Sequence, residues 1–194
     1  MLRLVLLRHG EAEGNRERRF LGLTDTPLTQ AGETQAAEAA QRIPAVEHVY
    51  VSPLRRCRQT AGLVWPGVEQ TVVEGLRETD FGPFEGKTHA ELKDEPLYRQ
   101  WLADPENPAL DGLVERETDC ARRAEQALRT VLQDAAAGGC SRVGVVSHGG
   151  TLMSLLNRCG RPAWPYYDWR MDNCGGWLVR WEDGSKQLTV EGRI

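Results

Sequence analysis

The sequence lacks a large charge of one sign and lacks any long run of apolar residues. Its 194 residues include 24 Lys and Arg against 28 Asp and Glu, a net charge of −4. This slightly acidic balance disfavours nucleic acid or an anionic membrane as the main partner. The apolar run at residues 4–7 lies between Arg3 and Arg8 and is too short for a signal-peptide core. No other run is long enough to span a bilayer, so no membrane partner is expected.

The sequence also lacks a paired cysteine motif. Its five cysteines are an odd number, lie far apart and include no Cys-x-x-Cys pair. Zinc-ribbon and thioredoxin-like folds are therefore not indicated, and a disulfide framework is not expected. Free thiols are typical of a reducing compartment, so we expect a cytoplasmic protein. The residues concerned are Cys57, Cys120, Cys140, Cys159 and Cys174.

Length and composition are those of one globular domain. With 40% hydrophobic and 27% charged residues, the chain resembles an ordinary soluble enzyme. A chain of this size buries about 70% of its unfolded surface without disulfides or metals. We expect a single domain over residues 1–194, and the oligomeric state stays open, a homodimer included.

Runs with strand character alternate with segments of helical character. Strands are expected at residues 2–7, 48–51, 71–73 and 142–146. Helices are expected from Thr29 to about Ile43, after Pro53, over 90–103, over 115–136 and after Thr151. This alternation predicts an α/β fold, a three-layer α/β/α sandwich with a mainly parallel central sheet.

Two further segments are predicted outside this alternation. Helices on either side of the loop at 104–108 predict a small helical insertion over the active site. The tail at 177–190, with a turn at Asp183 and Gly184, predicts an added hairpin.

Two histidines stand at matching places in the pattern. His9 follows the first strand and His148 follows the strand at 142–146, so both should face one crevice at the carboxyl ends of the sheet. Each precedes glycine, which allows close approach of a ligand to the backbone. A helix begins just after His148, and its first amides favour a phosphate. A lone histidine would suggest a structural role, but two of them with Arg8 beside the first indicate an anion site.

The residues around these histidines resemble the histidine phosphatase superfamily, in its phosphoglycerate mutase-like branch. Residues 7–15, Leu-Arg-His-Gly-Glu-Ala-Glu-Gly-Asn, match its Arg-His-Gly signature. Four more blocks follow in the family's order, at 22–29, at 51–61 with Arg-x-x-Gln-Thr, at 76–86, and at 146–150 with the second His-Gly. Five ordered blocks over about three-quarters of the chain make the resemblance specific.

The resemblance implies a role for each matching residue. His9 would attack phosphorus and form a phosphohistidine. Arg8, Arg56 and His148 would surround the transferring phosphoryl group, and no metal or cofactor would be needed. Glu78 would protonate the leaving alkoxide and later take a proton from water. Further contacts to phosphate or substrate are implied for Asn15, Gly22, the Gly149 amide and Arg116.

The sequence alone leaves several residue roles open. The spacing Arg-x-x-Gln-Thr selects Arg56, whereas Arg55 and Arg58 are expected to be solvated helix charges. Asp80 and Glu85 are alternatives to Glu78 as the acid. A solvated charge is the simpler interpretation of Arg116. The block at 111–118 matches the family loosely, so either Glu115 or Glu117 could be its acid, and the aromatic segment at 164–170 could pack in the core or line the crevice.

We expect a phosphatase that acts on a small phosphorylated metabolite, such as a sugar phosphate, a phosphoglycerate or a nucleoside-type phosphate. A cofactor-dependent phosphoglycerate mutase is the first alternative, but such mutases usually carry Asn where this chain has Gly150 and have a longer basic insertion. A second alternative is a non-catalytic phosphate-binding protein. A third is a metallohydrolase, which the positive charges of Arg8 and Arg56 disfavour.

Overall fold

The structure is a computed structural model that describes residues 1–182, 184 and 186–194. Within that part of the chain the strands are β1 Leu2–Arg8, β2 His48–Val51, β3 Gln70–Val72, β4 Arg142–Ser147, β5 Gly160–Arg161, β6 Gly176–Trp181 and β7 Leu188–Arg193. The α-helices are α1 Gln30–Ala40, α2 Arg55–Val64, α3 His89–Leu92, α4 Pro96–Ala103, α5 Glu117–Ala137 and α6 Gly149–Cys159. Short 3₁₀ turns lie at Glu74–Leu76, Gly82–Phe84, Pro108–Leu110 and Tyr166–Trp169.

The strands form one sheet in the order β3-β2-β4-β1-β6-β7-β5. Among the described strands, only β6 runs antiparallel to its neighbours β1 and β7, so the predicted mainly parallel sheet is confirmed. The pairing of β1 with β4 sets Arg8 opposite Ser147. His9 and His148, each one residue further on, therefore leave the sheet side by side at its carboxyl edge.

Helices cover both faces of the sheet, which confirms the three-layer sandwich. Leu4 and Leu6 of β1 pack into the cluster that contains residues of α5 and α6. Val5 and Leu7 pack with residues of α1 and α2 on the other face. The apolar run of β1 thus follows from a strand that is buried on both sides.

Helix boundaries follow capping and proline rules. The Thr29 hydroxyl accepts the Gly32 amide at 3.0 Å and caps α1 as predicted. The helix ends at Ala40, before the predicted end at Ile43, and Pro44 disfavours helical backbone at Ile43 itself.

The helix predicted over 90–103 was wrong as a single element. It is divided into α3 and α4, and Pro96 stands at the first position of α4 after an extended Glu95. Proline removes a backbone donor and excludes helical backbone at the residue before it. These two helices form the predicted insertion, and their side chains pack with Phe20, Phe81 and Phe84 in a separate aromatic cluster.

The predicted tail hairpin is present as β6 and β7 in antiparallel pairing. It is not an appendage, because β6 pairs with β1 and extends the central sheet. The predicted turn between these strands includes Asp183, which lies outside the described residues.

The five cysteines are free thiols. Among the helices described, none is both long and apolar enough to cross a membrane.

Candidate active site

His9 lies directly after β1 and is 4% exposed. Its Nδ1 is 2.7 Å from the Gly10 carbonyl oxygen. Because a carbonyl can only accept, Nδ1 donates its proton there and Nε2 keeps a free lone pair. Burial and the positive charges of Arg56 and Arg8 lower the pKa of His9 well below its usual value, against the opposing effect of the Gly10 bond. His9 is therefore a neutral imidazole at neutral pH.

His148 is the second buried histidine, and its ring centroid lies 5.1 Å from that of His9. Arg56 Nε donates to His148 Nδ1 at 3.3 Å, and His148 Nε2 lies 2.7 Å from Ser52 Oγ. Since a guanidinium N–H can only donate, Nδ1 is the acceptor and Nε2 carries the proton that Ser52 accepts. Burial, followed by the charge of Arg56, lowers the pKa of His148 well below its usual value.

The three arginines at the start of α2 have different environments. Arg56 is fully buried, whereas Arg55 and Arg58 are exposed. Besides His148, the Arg56 guanidinium donates to the carbonyl oxygens of Gly22 and Thr24, each at 2.8 Å. Arg56 therefore fixes the loop at 21–24 to the histidine pair, although its side chain does not line the cavity described next.

A cavity of about 330 Å³ opens beside His9, where β1 and β4 end. Arg8 lines it and donates from NH1 to the Met171 carbonyl at 2.9 Å. The buried Arg8 Nε has no partner among the residues that the structure describes. Gly149 also lines the cavity, and a Cβ added there would be 3.5 Å from Arg8 Nε. The first amide of α6 and an unused guanidinium N–H thus meet at one wall, a suitable pair of donors for an anion.

Asn15, Arg19 and Arg170 also line this cavity, and Arg19 is bonded to the Gly86 carbonyl and the Glu91 carboxylate. Asn15 accepts the Ala12 amide through Oδ1 at 2.9 Å, which leaves its Nδ2 group as a donor. Arg170 adds a further cation. Sequence reasoning did not single out Arg170, and its only signal was its position at the end of the aromatic segment 164–170.

The Glu78 carboxylate is 7% exposed and lines the cavity. Its Oε1 accepts the Thr79 amide at 2.9 Å, the Thr151 amide at 3.0 Å and the Thr151 hydroxyl at 3.1 Å. Its Oε2 accepts the Gly150 amide at 3.0 Å. Two of the α6 amides that were expected to bind phosphate are therefore used by Glu78. Oε2 accepts only one of these bonds and is the oxygen with capacity for a proton.

Gly22 packs in the loop at 21–24 and does not line the cavity. Its amide donates to Glu85 Oε2 at 3.1 Å, and Glu85 also accepts the amides of Leu23 and Thr24. A Cβ at Gly22 would be 2.1 Å from Glu85 Oε1, so glycine is required for this close approach. Glu85 thus organises the loop that Arg56 binds.

Asp80 has a local role of the same kind, since its carboxylate accepts the Gly82 amide at 2.8 Å. Arg116 is the residue before α5, and its guanidinium binds Asp111 and Asp119 at the surface. It does not line the cavity beside His9.

The two candidate acids of the block at 111–118, Glu115 and Glu117, have opposite environments. Glu115 binds Arg123 at 2.7 Å and Arg77 at 3.2 Å. Burial alone would raise the pKa of Glu115, but the hydrogen bond and charge of Arg123 lower it overall. Glu117 is exposed at the first turn of α5, and partial burial and the nearby Glu106 carboxylate raise its pKa.

The aromatic segment at 164–170 has both of the roles that were left open. Trp164 and Trp169 pack against each other and against Trp177, with ring centroids 4.6–5.6 Å apart. Tyr167 is 78% exposed and lines the cavity with Arg170.

Residues 4–192 match the profile of the histidine phosphatase superfamily (branch 1). The chain belongs to this superfamily and is an enzyme of the phosphomonoesterase class, as the motif blocks predicted.

Particular relatives carry both phosphatase and mutase names. A protein of Cronobacter sakazakii named as a probable phosphoglycerate mutase, GpmB, is 36% identical over 182 residues, which cover 90% of this chain and 82% of that protein. The alpha-ribazole phosphatase structure from Shigella flexneri superimposes with a TM-score of 0.82 at 27% identity, covering 98% of this chain and 95% of that one. Phosphoserine phosphatase from Entamoeba histolytica, solved with 3-phosphoglyceric acid, gives a TM-score of 0.82 at 28% identity, with coverage of 100% and 96%.

Proposed function

We propose that the protein hydrolyses small phosphate monoesters through a phosphohistidine at His9, without a metal ion. The observation that carries this proposal is the hydrogen bond of 2.7 Å between His9 Nδ1 and the Gly10 carbonyl. It leaves Nε2 as the nitrogen with a free lone pair, in a cavity that also contains Arg8, Asn15 and the Gly149 amide. A neutral nucleophile beside convergent donors is what attack on a dianionic phosphate requires.

In the first step, His9 Nε2 attacks phosphorus and the bond from phosphorus to the alkoxide oxygen breaks. Arg8, Asn15 and the Gly149 amide bind the non-bridging oxygens, where charge must be stabilised. Glu78 delivers a proton to the departing oxygen, so the alcohol leaves as a neutral molecule. Arg56 and His148 act from outside the cavity lining: Arg56 adds positive potential, and the neutral His148 ring packs edge-on against the His9 ring.

In the second step, water attacks the phosphorus of phosphohistidine and the P–N bond breaks. Glu78 takes a proton from that water and returns to its acid form. His9 is released as a neutral imidazole, and inorganic phosphate leaves. One carboxylate therefore serves both steps, as microscopic reversibility of proton transfer permits.

The metallohydrolase alternative is less favourable for this site. Arg8 and Arg56 already place two positive charges near His9, and a divalent cation there would be repelled. Within residues 1–182, 184 and 186–194, no three His, Cys, Asp or Glu side chains form a group that could hold a metal ion.

We further propose a cytoplasmic location, because all five cysteines are free.

The function is tested by trapping the intermediate. Wild-type enzyme is quenched during turnover of a ³²P-labelled ester, either in alkali or by an exposure to acid that is too brief to release the label. The quenched enzyme should carry an acid-labile phosphate. His9→Ala should carry none and should lose turnover, whereas His48→Ala, on β2 and bonded to Thr71, should keep both. Wild-type activity should survive exhaustive chelation with EDTA. Normal turnover by His9→Ala, or loss on chelation that zinc or manganese restores, would contradict the proposal.

A further inference from the structure

A second compartment opens from the cavity beside His9. It has a volume of about 350 Å³ and shares part of its wall with the first cavity. The shared residues are Phe20, Phe81, Gly150, Met153 and Tyr167. A substrate whose phosphate is bound at His9 can therefore extend into this compartment without leaving the protein surface.

The wall of the second compartment is mainly apolar, with Trp101, Leu102 and Pro105 on the insertion side. Phe20 and Phe81 lie 5.7 and 6.2 Å from Trp101 between ring centroids, both at steep angles. These ring contacts hold the aromatic faces in place. The insertion therefore supplies a preformed surface of the kind that binds a flat apolar group.

One carboxylate on this wall is unpaired. Glu117 lines the compartment and makes no hydrogen bond or ion pair with the described part of the chain. Glu115, on the same wall, is neutralised by Arg123 and Arg77. Glu117 is thus a carboxylate acceptor free to bind a ligand, and a ligand that carries an N–H or O–H donor could satisfy it.

We propose that the second compartment binds the leaving group, and that the natural substrate is a phosphate monoester of an alcohol with a flat apolar body and a hydrogen-bond donor that binds Glu117. This inference rests on the proposed reaction at His9 and names its substrate class. A compact three-carbon ester such as 3-phosphoglycerate leaves the apolar wall in contact with water. It therefore gains none of the binding energy that burial of this surface supplies.

Three benzyl phosphates that differ only at the para position test the inference, with ethyl phosphate and 3-phosphoglycerate for comparison. The para groups are aminomethyl, hydrogen and carboxylate. We expect kcat/KM for benzyl phosphate to exceed that for ethyl phosphate by at least about tenfold, the effect of burying part of a ring. The aminomethyl ester should exceed the carboxylate ester by about threefold to fivefold through a partly solvated ion pair.

Variants separate the two parts of the inference. Glu117→Gln should remove the order among the three para groups while it retains turnover of benzyl phosphate. Leu102→Ala should reduce the preference for benzyl over ethyl phosphate, since Leu102 is 51% exposed and its truncation leaves the fold intact. Glu38→Gln on α1, which lines neither cavity, should behave as wild type.

The outcomes also distinguish this inference from the proposed function. If ethyl phosphate or 3-phosphoglycerate is turned over through a phosphohistidine at least as efficiently as benzyl phosphate, the substrate class is refuted and the reaction stands. If the para series keeps its order in Glu117→Gln, the role of Glu117 is refuted. If no ester gives a phosphoenzyme, the proposed function itself fails.

Discussion

At the scale of single residues, the site separates groups that look equivalent in the sequence. Both histidines are buried and neutral, yet His9 donates from Nδ1 to Gly10 while His148 accepts at Nδ1 from Arg56. The free lone pair of His9 is consequently on Nε2. In His148 the Nε2 atom carries the proton, which it donates to Ser52, and Nδ1 is the acceptor. The roles of the two rings follow from these partners.

Glu78→Gln tests the general acid. An alkoxide must be protonated as it leaves, whereas p-nitrophenolate departs almost unaided, so the variant should lose transfer severely for benzyl phosphate and mildly for p-nitrophenyl phosphate. Rapid mixing should show a burst of p-nitrophenol followed by slow hydrolysis. The amide side chain also weakens the cap of α6, at a cost of about 1 kcal/mol in stability. Equal losses in the burst on both esters would show that Glu78 is not the acid.

Arg56→Ala should cost far more than Arg55→Ala or Arg58→Ala. The substitution removes a buried cation beside the histidines and leaves the carbonyl oxygens of Gly22 and Thr24 without their donor. We expect a loss of about a hundredfold in kcat, because the histidine pair is no longer held in place, and of about 1–3 kcal/mol in unfolding free energy. The measurements are steady-state kinetics and urea unfolding. Comparable effects in the two exposed arginines would contradict the spacing argument.

At the scale of elements, the start of α6 and the Glu78 loop form one unit. The Glu78 carboxylate occupies the amides of Gly150 and Thr151, and a Cβ at Gly150 would lie 2.8 Å from Glu78 Oε1. The glycine that distinguishes this chain from the mutase pattern therefore makes room for the carboxylate. The Gly149 amide stays available at the cavity wall.

Gly150→Asn should displace the carboxylate and reduce turnover of an alkyl phosphate by about tenfold to a hundredfold, the usual effect of a small misplacement in a catalytic group. Turnover of p-nitrophenyl phosphate should fall less. Gly139→Asn is the matched control, because Gly139 has φ +67° after α5 and nothing within 4 Å of an added Cβ. If Gly150→Asn turns over the alkyl phosphate at the wild-type rate, the space that Gly150 leaves for Glu78 does not affect catalysis.

At the scale of the whole molecule, the buried neutral histidines link stability to pH. Burial, with the neighbouring arginines, holds the pKa of His9 and of His148 well below the unfolded value of about 6.5. Below that value the unfolded chain binds protons that the folded protein does not. Stability is therefore fully present above about pH 6.5 and falls as the pH decreases, by about 1.4 kcal/mol per pH unit for each histidine.

Urea unfolding at pH 8, 7, 6 and 5 measures this dependence. From pH 8 to 7 these histidines contribute little to the change of unfolding free energy with pH, so this range serves as the internal reference. His148→Asn should lose about 1.4 kcal/mol per pH unit of the slope between pH 6 and 5. A wild-type stability that does not change from pH 7 to 5, or a variant with the full slope, would show that these histidines are not held neutral by the fold.

The sequence by itself determined the four parallel strands β1 to β4, the three layers and the meeting of two histidines, because these depend on apolar periodicity and on the rule that parallel strands end at one edge. The Arg-x-x-Gln-Thr spacing also distinguished the buried Arg56 from its exposed neighbours. Pro96 in the sequence was sufficient to predict the break between α3 and α4, although the prediction of one helical segment over 90–103 did not use it.

Only the tertiary structure decided which donors remain free for a ligand. Glu78 and the α6 amides are about seventy residues apart, and their pairing depends on distances that no local pattern encodes. The second compartment likewise combines Phe20, Trp101 and Glu117 with residues of α6. Local sequence specifies backbone and burial through short-range sterics and periodicity, whereas partner choice among polar groups is settled when distant segments pack and compete for the same donors.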